Sequence, residues 1–173
     1  PGFDLKYNLS NTDLGENISN LIRYSEPEKN KKTLFVWPEG SFTGFSFEQI
    51  KQYKTLFTEA FSENHLILFG SNTIQETVNT LDTFNSLIVV NNKLDIFFQY
   101  DKIKLVPFGE VLPYENLLSK IGLKKITEGY GSFSRGTTND IFVSGNVKML
   151  PLICYEIIFP KLSQTQKNLI VNI

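Results

Sequence analysis

The single cysteine and the residues around it constrain this chain most. An apolar run from Met149 to Ile153 leads into Cys154, and polar residues follow at once. This pattern predicts a short buried strand that ends in a sharp turn into a helix. A cysteine at such a turn lies beside the N–H groups of a helix N-terminus, which favour the thiolate. A buried structural thiol is the alternative interpretation, because free cysteine is among the most buried residue types.

The size and composition of the chain predict one globular domain over residues 1–173. Its 173 residues suffice for a sizeable core, and 41% of them are hydrophobic while 20% are charged. A net charge of −1 provides no field that would recruit nucleic acid or an anionic membrane surface. We find no apolar run of the ~18 residues needed to span a bilayer, and no signal-peptide pattern. With one cysteine and only His65 as an imidazole, we expect no metal site.

Helical and strand-like patterns alternate along the chain. Helical spacing predicts helices over residues 13–24 and 114–121, the second ended by Gly122, and a longer helix from Ser46 to about residue 61. Ser46 and Gln49 form a capping box for the longer helix. Apolar runs predict strands over residues 33–37, 66–70, 84–91, 94–100, 141–147, 149–153 and 168–173. Residues 38–41 are predicted to form a turn after the first strand, and residues 145–146 a turn near the end of the 141–147 strand region. Residues 91–93 are predicted to form a tight hairpin turn. The expected fold is α/β with a buried, mostly apolar sheet.

Three kinds of chemically useful side chain follow the ends of predicted strands. Glu39 follows the first strand, Lys102 and Lys104 follow the strand that ends at about residue 100, and Cys154 follows a later one. Ligands of α/β sheets bind near the carboxyl ends of strands, so an acid, an amine and a thiol could converge there. Taken singly, the glutamate and the lysines would be ordinary surface charges. Because the two lysines share a face, periodicity alone does not choose between them.

A serine–histidine–acid triad would have to use His65. This residue precedes the strand predicted at residues 66–70, and the chain has no Gly-x-Ser-x-Gly pattern to supply its partner. We therefore do not expect that chemistry.

Five short motifs occur in order and point to one family. They are Trp37-Pro38-Glu39, Tyr100-Asp101-Lys102, the run from Leu105 to Glu110, the run from Ser132 to Gly136, and Ile153-Cys154-Tyr155-Glu156. The chain resembles the nitrilase-type, or carbon-nitrogen hydrolase, domain of bacterial apolipoprotein N-acyltransferases over residues 14–173. The glutamate–lysine–cysteine set alone would indicate only the wider nitrilase superfamily. The resemblance implies an α-β-β-α sandwich. We expect this sandwich to be truncated, incomplete at both ends, because the family's first strand and its closing strands have no counterpart.

The resemblance also implies a role for each of several residues. Glu39 matches the family's general base, Lys102 its catalytic lysine and Cys154 its nucleophile. The positions that match supporting active-site residues are Glu110, Tyr155 and Glu156. Two positions depart from the family pattern: Lys104 stands where histidine is usual, and Tyr7 stands where a tryptophan is expected near the start.

The implied reaction is a two-step acyl transfer. Cys154 takes an acyl chain from a phospholipid as a thioester, and the α-amine of a lipoprotein's diacylglyceryl-cysteine then accepts it. No cofactor is implied. The family works at the bacterial inner membrane with a periplasmic catalytic domain, attached through membrane-spanning helices that these residues do not include.

Two alternatives remain open. One is a soluble nitrilase-like amidase, in which water resolves the thioester. The other is an inactive split or decayed remnant of the acyltransferase, for which a complementing chain would have to supply the missing strands. We expect the 173-residue chain alone to lack N-acyltransferase turnover.

Overall fold

The computed structural model describes residues 11–42, 44–76, 81–111, 132–163 and 166–173. Their helices are α1 (Asn11–Ser25), α2 (Phe47–Lys51) and α3 (Lys54–Ala60), and two 3-10 helices span Cys154–Ile158 and Pro160–Ser163. The strands are β1 (Thr33–Val36), β2 (His65–Glu76), β3 (Leu81–Val90), β4 (Ile96–Asp101), β5 (Phe142–Ser144), β6 (Val147–Leu152) and β7 (Leu169–Asn172).

The first sheet has the strand order β1-β2-β3-β4. Strand β1 pairs with β2 in parallel, and the β2–β3 and β3–β4 pairs are antiparallel. Strands β1, β2 and β4 therefore run in one direction. Their carboxyl ends meet at one edge of the sheet, where Glu39 follows β1 and Lys102 follows β4.

The second sheet has the order β5-β6-β7, with β5 antiparallel and β7 parallel to β6. Gly145 and Asn146 form the predicted turn between β5 and β6, and Gly145 has a φ of +56° that glycine adopts readily. Cys154 lies just beyond the carboxyl end of β6.

Two apolar layers hold these elements together. On one face of the first sheet, Ile67, Phe69 and Ile88 pack against Leu14 and Ile18 of α1 and against α2 and α3. On the other face, β2, β3 and β4 pack against the second sheet through a cluster of apolar side chains: Leu68, Leu87, Val89, Tyr100, Phe142, Met149, Ile153 and Ile173. The described residues thus form helix, sheet and sheet layers, which agrees with the α/β nitrilase-like fold expected.

Glycine permits a close approach between the sheets at one point. A side chain on Gly70 of β2 would lie 3.2 Å from Cδ1 of Ile173, just after β7. Since nothing projects from Gly70, Ile173 packs directly on the backbone of β2.

Two local predictions are wrong in detail. The helix expected from Ser46 to residue 61 is two helices, although its capping box at Ser46 and Gln49 is confirmed. The backbone N–H groups of Gln52, Tyr53 and Leu56 each donate to a carbonyl three residues back, so a tight turn replaces the α-helical pattern there.

The hairpin turn after β3 is longer than residues 91–93. It spans Asn91–Asp95, because the Asn91 side-chain oxygen accepts the backbone N–H groups of Lys93 and Asp95. Leu94 takes a left-handed φ of +59° to close the turn. The helix predicted at residues 114–121, with Gly122 after it, lies outside the described residues, as does Tyr7.

Candidate active site

Cys154 lies at a sharp bend between β6 and a five-residue 3-10 helix. Its φ is +56°, a left-handed conformation that side-chain-bearing residues rarely adopt. The bend is held by a hydrogen bond of 2.6 Å from the backbone N–H of Cys154 to the carbonyl of Ile173. The predicted strand and sharp turn are confirmed, but a short 3-10 helix follows. The side chain is half-buried, so the interpretation as a fully buried structural thiol does not hold.

Lys102 begins the segment that follows β4. Its backbone N–H donates to the carbonyl of Asn85 on β3, and its side chain is only 1% exposed. The ammonium group lies 2.8 Å from Oε1 of Glu110. Lys104 is less buried, and its ammonium lies 5.6 Å from the ring centre of Phe159. The structure therefore separates two lysines that periodicity could not: Lys102 is the buried, ion-paired one.

Glu110 is held by donors on both carboxylate oxygens. Oε1 accepts from Lys102 Nζ and from the side-chain amide of Asn85, each at 2.8 Å. Oε2 accepts the backbone N–H of Val106 at 2.9 Å. Three backbone N–H groups, from residues 109–111, also converge on the Val106 carbonyl. Residues 106–111 therefore form a tight turn, which holds the Glu110 carboxylate against the Lys102 ammonium.

Glu156 connects two segments of the chain through four hydrogen bonds. It is fully buried, and its Oε1 accepts the backbone N–H groups of Ile103 and Lys104, each at 2.8 Å. Its Oε2 accepts from the Tyr100 hydroxyl at 2.9 Å and from the Ile153 backbone at 3.0 Å. The carboxylate fastens the segment after β4 to the bend that carries Cys154.

Tyr155 makes a second connection between the same two segments. Its hydroxyl donates to the Leu105 carbonyl at 2.8 Å, and its ring centre lies 5.4 Å from Lys102 Nζ. Burial, followed by the negative charges of Glu110 and Glu156, raises the pKa of Tyr155, while the positive charge of Arg135 opposes the shift. The phenol therefore stays protonated at neutral pH, where it acts as a hydrogen-bond donor.

Glu39 lies in an exposed turn at the same edge of the first sheet. Both the backbone N–H and the hydroxyl of Ser41 donate to the Pro38 carbonyl, which confirms the turn predicted there. Within the described residues, no hydrogen bond or ion pair joins Glu39 to Lys102 or to Cys154. Its convergence with those two groups stays a prediction.

Sequence reasoning missed two residues of this site. Asn85 lay within a run interpreted only as an apolar strand, and nothing in the sequence marked its amide as a partner of Glu110. Gly136 donates its backbone N–H to the Lys102 carbonyl at 3.0 Å, and a Cβ there would lie 2.7 Å from the carbonyl carbon of Asp101. The one signal for Gly136 in the sequence was its place after Arg135 in the motif that runs from Ser132 to Gly136.

His65 has a structural role. It is fully buried, its Nδ1 accepts the backbone N–H of Ser62 at 3.1 Å, and its Nε2 lies 3.0 Å from the Glu28 carbonyl. The tautomer with the proton on Nε2 satisfies both contacts. Both ring nitrogens are thus bound to the backbone, which agrees with the sequence argument against a serine–histidine triad.

The described part of the chain holds no group of three histidine, cysteine or acidic side chains placed to bind a metal ion. None of its helices is long and apolar enough to cross a bilayer. A cavity of about 530 Å³ opens beside the starts of β1 and β2 and the β5–β6 turn, between residues such as Lys32, Asn64 and Phe142, and Cys154 does not line it.

A match over most of the chain defines the class of protein. Residues 5–169 match the family described as carbon-nitrogen hydrolase. The chain belongs to that family.

Curated relatives specify the resemblance further. The chain is 33% identical over 142 residues to the apolipoprotein N-acyltransferase of Rhizobium leguminosarum bv. trifolii, covering 79% of this chain and 26% of that protein. It is 29% identical over 173 aligned residues to the protein of the same name from Allorhizobium ampelinum, covering 92% of this chain and 31% of the relative. The chain thus spans about a quarter to a third of the length of these relatives.

Solved structures share the fold at low sequence identity. A glutamine-dependent NAD+ synthetase from Acinetobacter baumannii, in complex with ADP, superposes with a TM-score of 0.59 at 16% identity, covering 94% of this chain and 29% of that one. An amidase double mutant from Nesterenkonia sp. AN1, in complex with acrylamide, gives 0.58 at 14% identity, covering 95% and 59%. These likenesses concern the fold.

Proposed function

We propose that this chain carries the acyl-transfer site of an apolipoprotein N-acyltransferase, with Cys154 as nucleophile, Lys102 as electrostatic stabiliser and Glu39 as general base. The buried Lys102–Glu110 pair is the observation that carries the proposal, since its ammonium lies 5.4 Å from the ring centre of Tyr155, the residue after Cys154. A buried ammonium held by a carboxylate is fixed in position, as the stabiliser of a developing oxyanion must be.

In the first step, Glu39 removes the thiol proton of Cys154, and the sulfur attacks the ester carbonyl of a phospholipid. The resulting oxyanion is stabilised by Lys102 and by the backbone N–H of Tyr155. This N–H lies in the first turn of the 3-10 helix, where backbone donors have no acceptor within the helix. Glu39 returns the proton to the departing lysophospholipid oxygen, and an acyl thioester remains on Cys154.

In the second step, the α-amine of a diacylglyceryl-cysteine attacks the thioester carbonyl and Glu39 accepts its proton. The amide bond forms, the carbon–sulfur bond breaks, and Cys154 recovers its proton from Glu39. The donor and acceptor are both lipids, so the site would work at a membrane surface. We propose the bacterial inner membrane, with this domain on its periplasmic side.

The test is mass spectrometry of the purified chain after incubation with a p-nitrophenyl ester, a small soluble acyl donor. We expect one acyl adduct on the peptide that contains Cys154. The adduct should be absent in Cys154→Ser, because a hydroxyl is far less acidic than a thiol and Glu39 could not activate it comparably. We expect Glu39→Gln to slow its formation ~10²–10⁴-fold and Lys102→Met ~10²–10³-fold. An adduct at the wild-type level on Cys154→Ser would refute the assignment of the nucleophile.

The acceptor distinguishes the acyltransferase from an amidase. Added to chain that the p-nitrophenyl ester has already acylated, a diacylglyceryl-cysteine peptide should discharge the thioester in a single turnover with formation of an N-acyl peptide. Release of free fatty acid at the same rate with and without the peptide would instead support hydrolysis.

A further inference from the structure

Asn85 and Lys102 lie directly opposite each other at the end of the β3–β4 pair. Ser86 pairs with Asp101, so the next pair along is Asn85 with Lys102, and the Lys102 N–H donates to the Asn85 carbonyl at 2.9 Å. Opposed residues of an antiparallel pair point their side chains to the same face of the sheet. This is the face that bears Leu87 and Tyr100 and packs against the second sheet.

The Asn85 amide and the Lys102 ammonium converge on one oxygen of Glu110. Each donor lies 2.8 Å from Oε1, and Asn85 is itself half-buried. With the Val106 N–H on Oε2, the carboxylate is held from three directions. Hydrogen bonds to an ionised acceptor are shorter and stronger than neutral ones, so three of them fix one rotamer.

We propose that Asn85 is a positioning residue, which places Lys102 for catalysis by fixing the carboxylate to which the ammonium binds. The inference rests on the proposed function of Lys102. A lysine is a point charge on a flexible four-carbon stem, and its direction is set by what holds its ammonium. When the amide donor is removed, Oε1 of Glu110 loses one of its two donors, so the carboxylate is held less firmly and the Lys102 ammonium bound to it shifts. A displacement of ~1 Å costs on the order of 10²-fold in rate.

The first test measures the position of Lys102 without any enzymatic turnover. In ¹⁵N-labelled wild-type chain, the buried, ion-paired ammonium should give a slowly exchanging NMR signal that disappears in Lys102→Met. We expect Asn85→Leu, which keeps the volume and removes the donor, to raise its hydrogen-exchange rate at least tenfold. The control is Asn92→Ala. Asn92 lies in the β3–β4 turn, and this variant deletes its buried amide hydrogen bond to the Phe61 carbonyl. An unchanged signal in Asn85→Leu with a native amide spectrum would overturn the proposal.

The second test uses Asn85→Asp and the rate of Cys154 acylation by a p-nitrophenyl ester. At pH 7 the new carboxylate faces Glu110 without a proton to donate. When two carboxylates share a site, the pKa of one is raised, so on acidification the pair takes up a proton and regains a donor. The rate of Asn85→Asp relative to wild type should therefore rise as the pH falls from 7 to 5, whereas the ratio for Asn85→Leu stays low and flat.

The two tests separate this proposal from the proposed function. If wild-type chain forms no adduct, the acyl-transfer assignment fails, and the ammonium signal still decides whether Asn85 holds Lys102. If wild type is acylated and Asn85→Leu reacts at the wild-type rate, the positioning role is refuted while the function stands.

Discussion

The Tyr100 hydroxyl donates a hydrogen bond of 2.9 Å to Oε2 of Glu156, although the two residues are 56 positions apart. Tyr100 lies in β4, directly before the segment of Lys102, and Glu156 lies in the 3-10 helix that begins with Cys154. One buried carboxylate thus fastens the proposed stabiliser's segment to the proposed nucleophile's segment. The positions of Lys102 and Cys154 therefore depend on each other through this contact.

The first prediction concerns Glu156→Gln. Glu156 is fully buried and its two oxygens accept four hydrogen bonds, whereas a carboxamide has one oxygen and an NH₂ group that would face two donors. Each buried donor left without an acceptor costs about 1–3 kcal/mol, so with two such donors we expect the free energy of unfolding to fall by about 2–6 kcal/mol in urea denaturation. Glu48→Gln, at an exposed pair with Lys51, is the control and should change it by less than ~1 kcal/mol. Equal effects from the two variants would contradict the anchoring role.

The second prediction concerns stability at high pH. Burial, and then the charge of Glu156, raise the pKa of Tyr100 above its ordinary value near 10. The folded state therefore keeps a proton that the unfolded state releases. The stabilisation is complete below pH ~10 and is lost as the pH rises from there towards the raised pKa. Urea midpoints should fall between pH 10 and 11.5 in the wild type and fall less in Tyr100→Phe. Parallel pH profiles would show that Tyr100 does not control this loss.

The third prediction separates backbone strain from chemistry at Cys154. A φ of +56° disfavours any residue with a Cβ, and glycine alone adopts it without penalty. We expect Cys154→Gly to be more stable than Cys154→Ala by about 1 kcal/mol, with both unable to form an acyl adduct. Urea denaturation of the two variants gives the difference. A more stable alanine variant would mean that the left-handed conformation is not retained.

The layout of the fold could be predicted largely from patterns. Helix α1 shows apolar spacing that repeats at every turn, and β1, β6 and β7 are apolar runs bounded by turn residues, so each was found within one or two residues. The break between α2 and α3 was missed because Gln52 and Tyr53 are compatible with a continuous helix. Only the i→i+3 hydrogen bonds of the folded chain reveal the turn.

The site was predicted unevenly for a similar reason. Lys102 and Lys104 have the same chemistry and the same periodicity, and what separates them is burial and the contact with Glu110. Asn85 contributes one amide from the middle of an apolar strand, and its partner comes 25 positions later. Contacts between distant segments leave no local signal in a single sequence.

The fourth prediction concerns Gly136→Ala. Gly136 donates its N–H to the Lys102 carbonyl, and an added Cβ would overlap the carbonyl group of Asp101. Because that obstacle is backbone, it cannot move away as a side-chain end could. We expect a loss of about 2 kcal/mol or more in the free energy of unfolding and a displaced Lys102 segment. Gly70→Ala is the matched control, since its new Cβ meets the flexible end of Ile173 at 3.2 Å and the Ser86 carbonyl oxygen at an ordinary contact distance of 3.9 Å. A larger effect at Gly70 would contradict this order.

The fifth prediction is that Glu39, Lys102 and Cys154 share one pocket. Glu39 follows β1 and Lys102 follows β4, the outer strands of a four-stranded sheet. With strands ~4.8 Å apart, three intervals separate them by ~14 Å. Side chains must therefore close the gap. One feature favours this. The chain stops pairing with β2 after Trp37 and pairs with it again only where Ser46 bridges Asn72, so the turn that carries Glu39 is not hydrogen-bonded into the sheet as a strand.

A crystal structure of the chain at a resolution that fixes side-chain tips would test the geometry. We expect the Glu39 carboxylate, Lys102 Nζ and Cys154 Sγ within ~10 Å of one another, because tips farther apart than that are too far for proton transfer even through one water. The Glu39→Gln rate provides the functional counterpart, because a carboxylate that never reaches the thiol could be replaced without effect. Tips separated by more than ~10 Å, together with a wild-type acylation rate in Glu39→Gln, would remove Glu39 from the mechanism and require another base for Cys154.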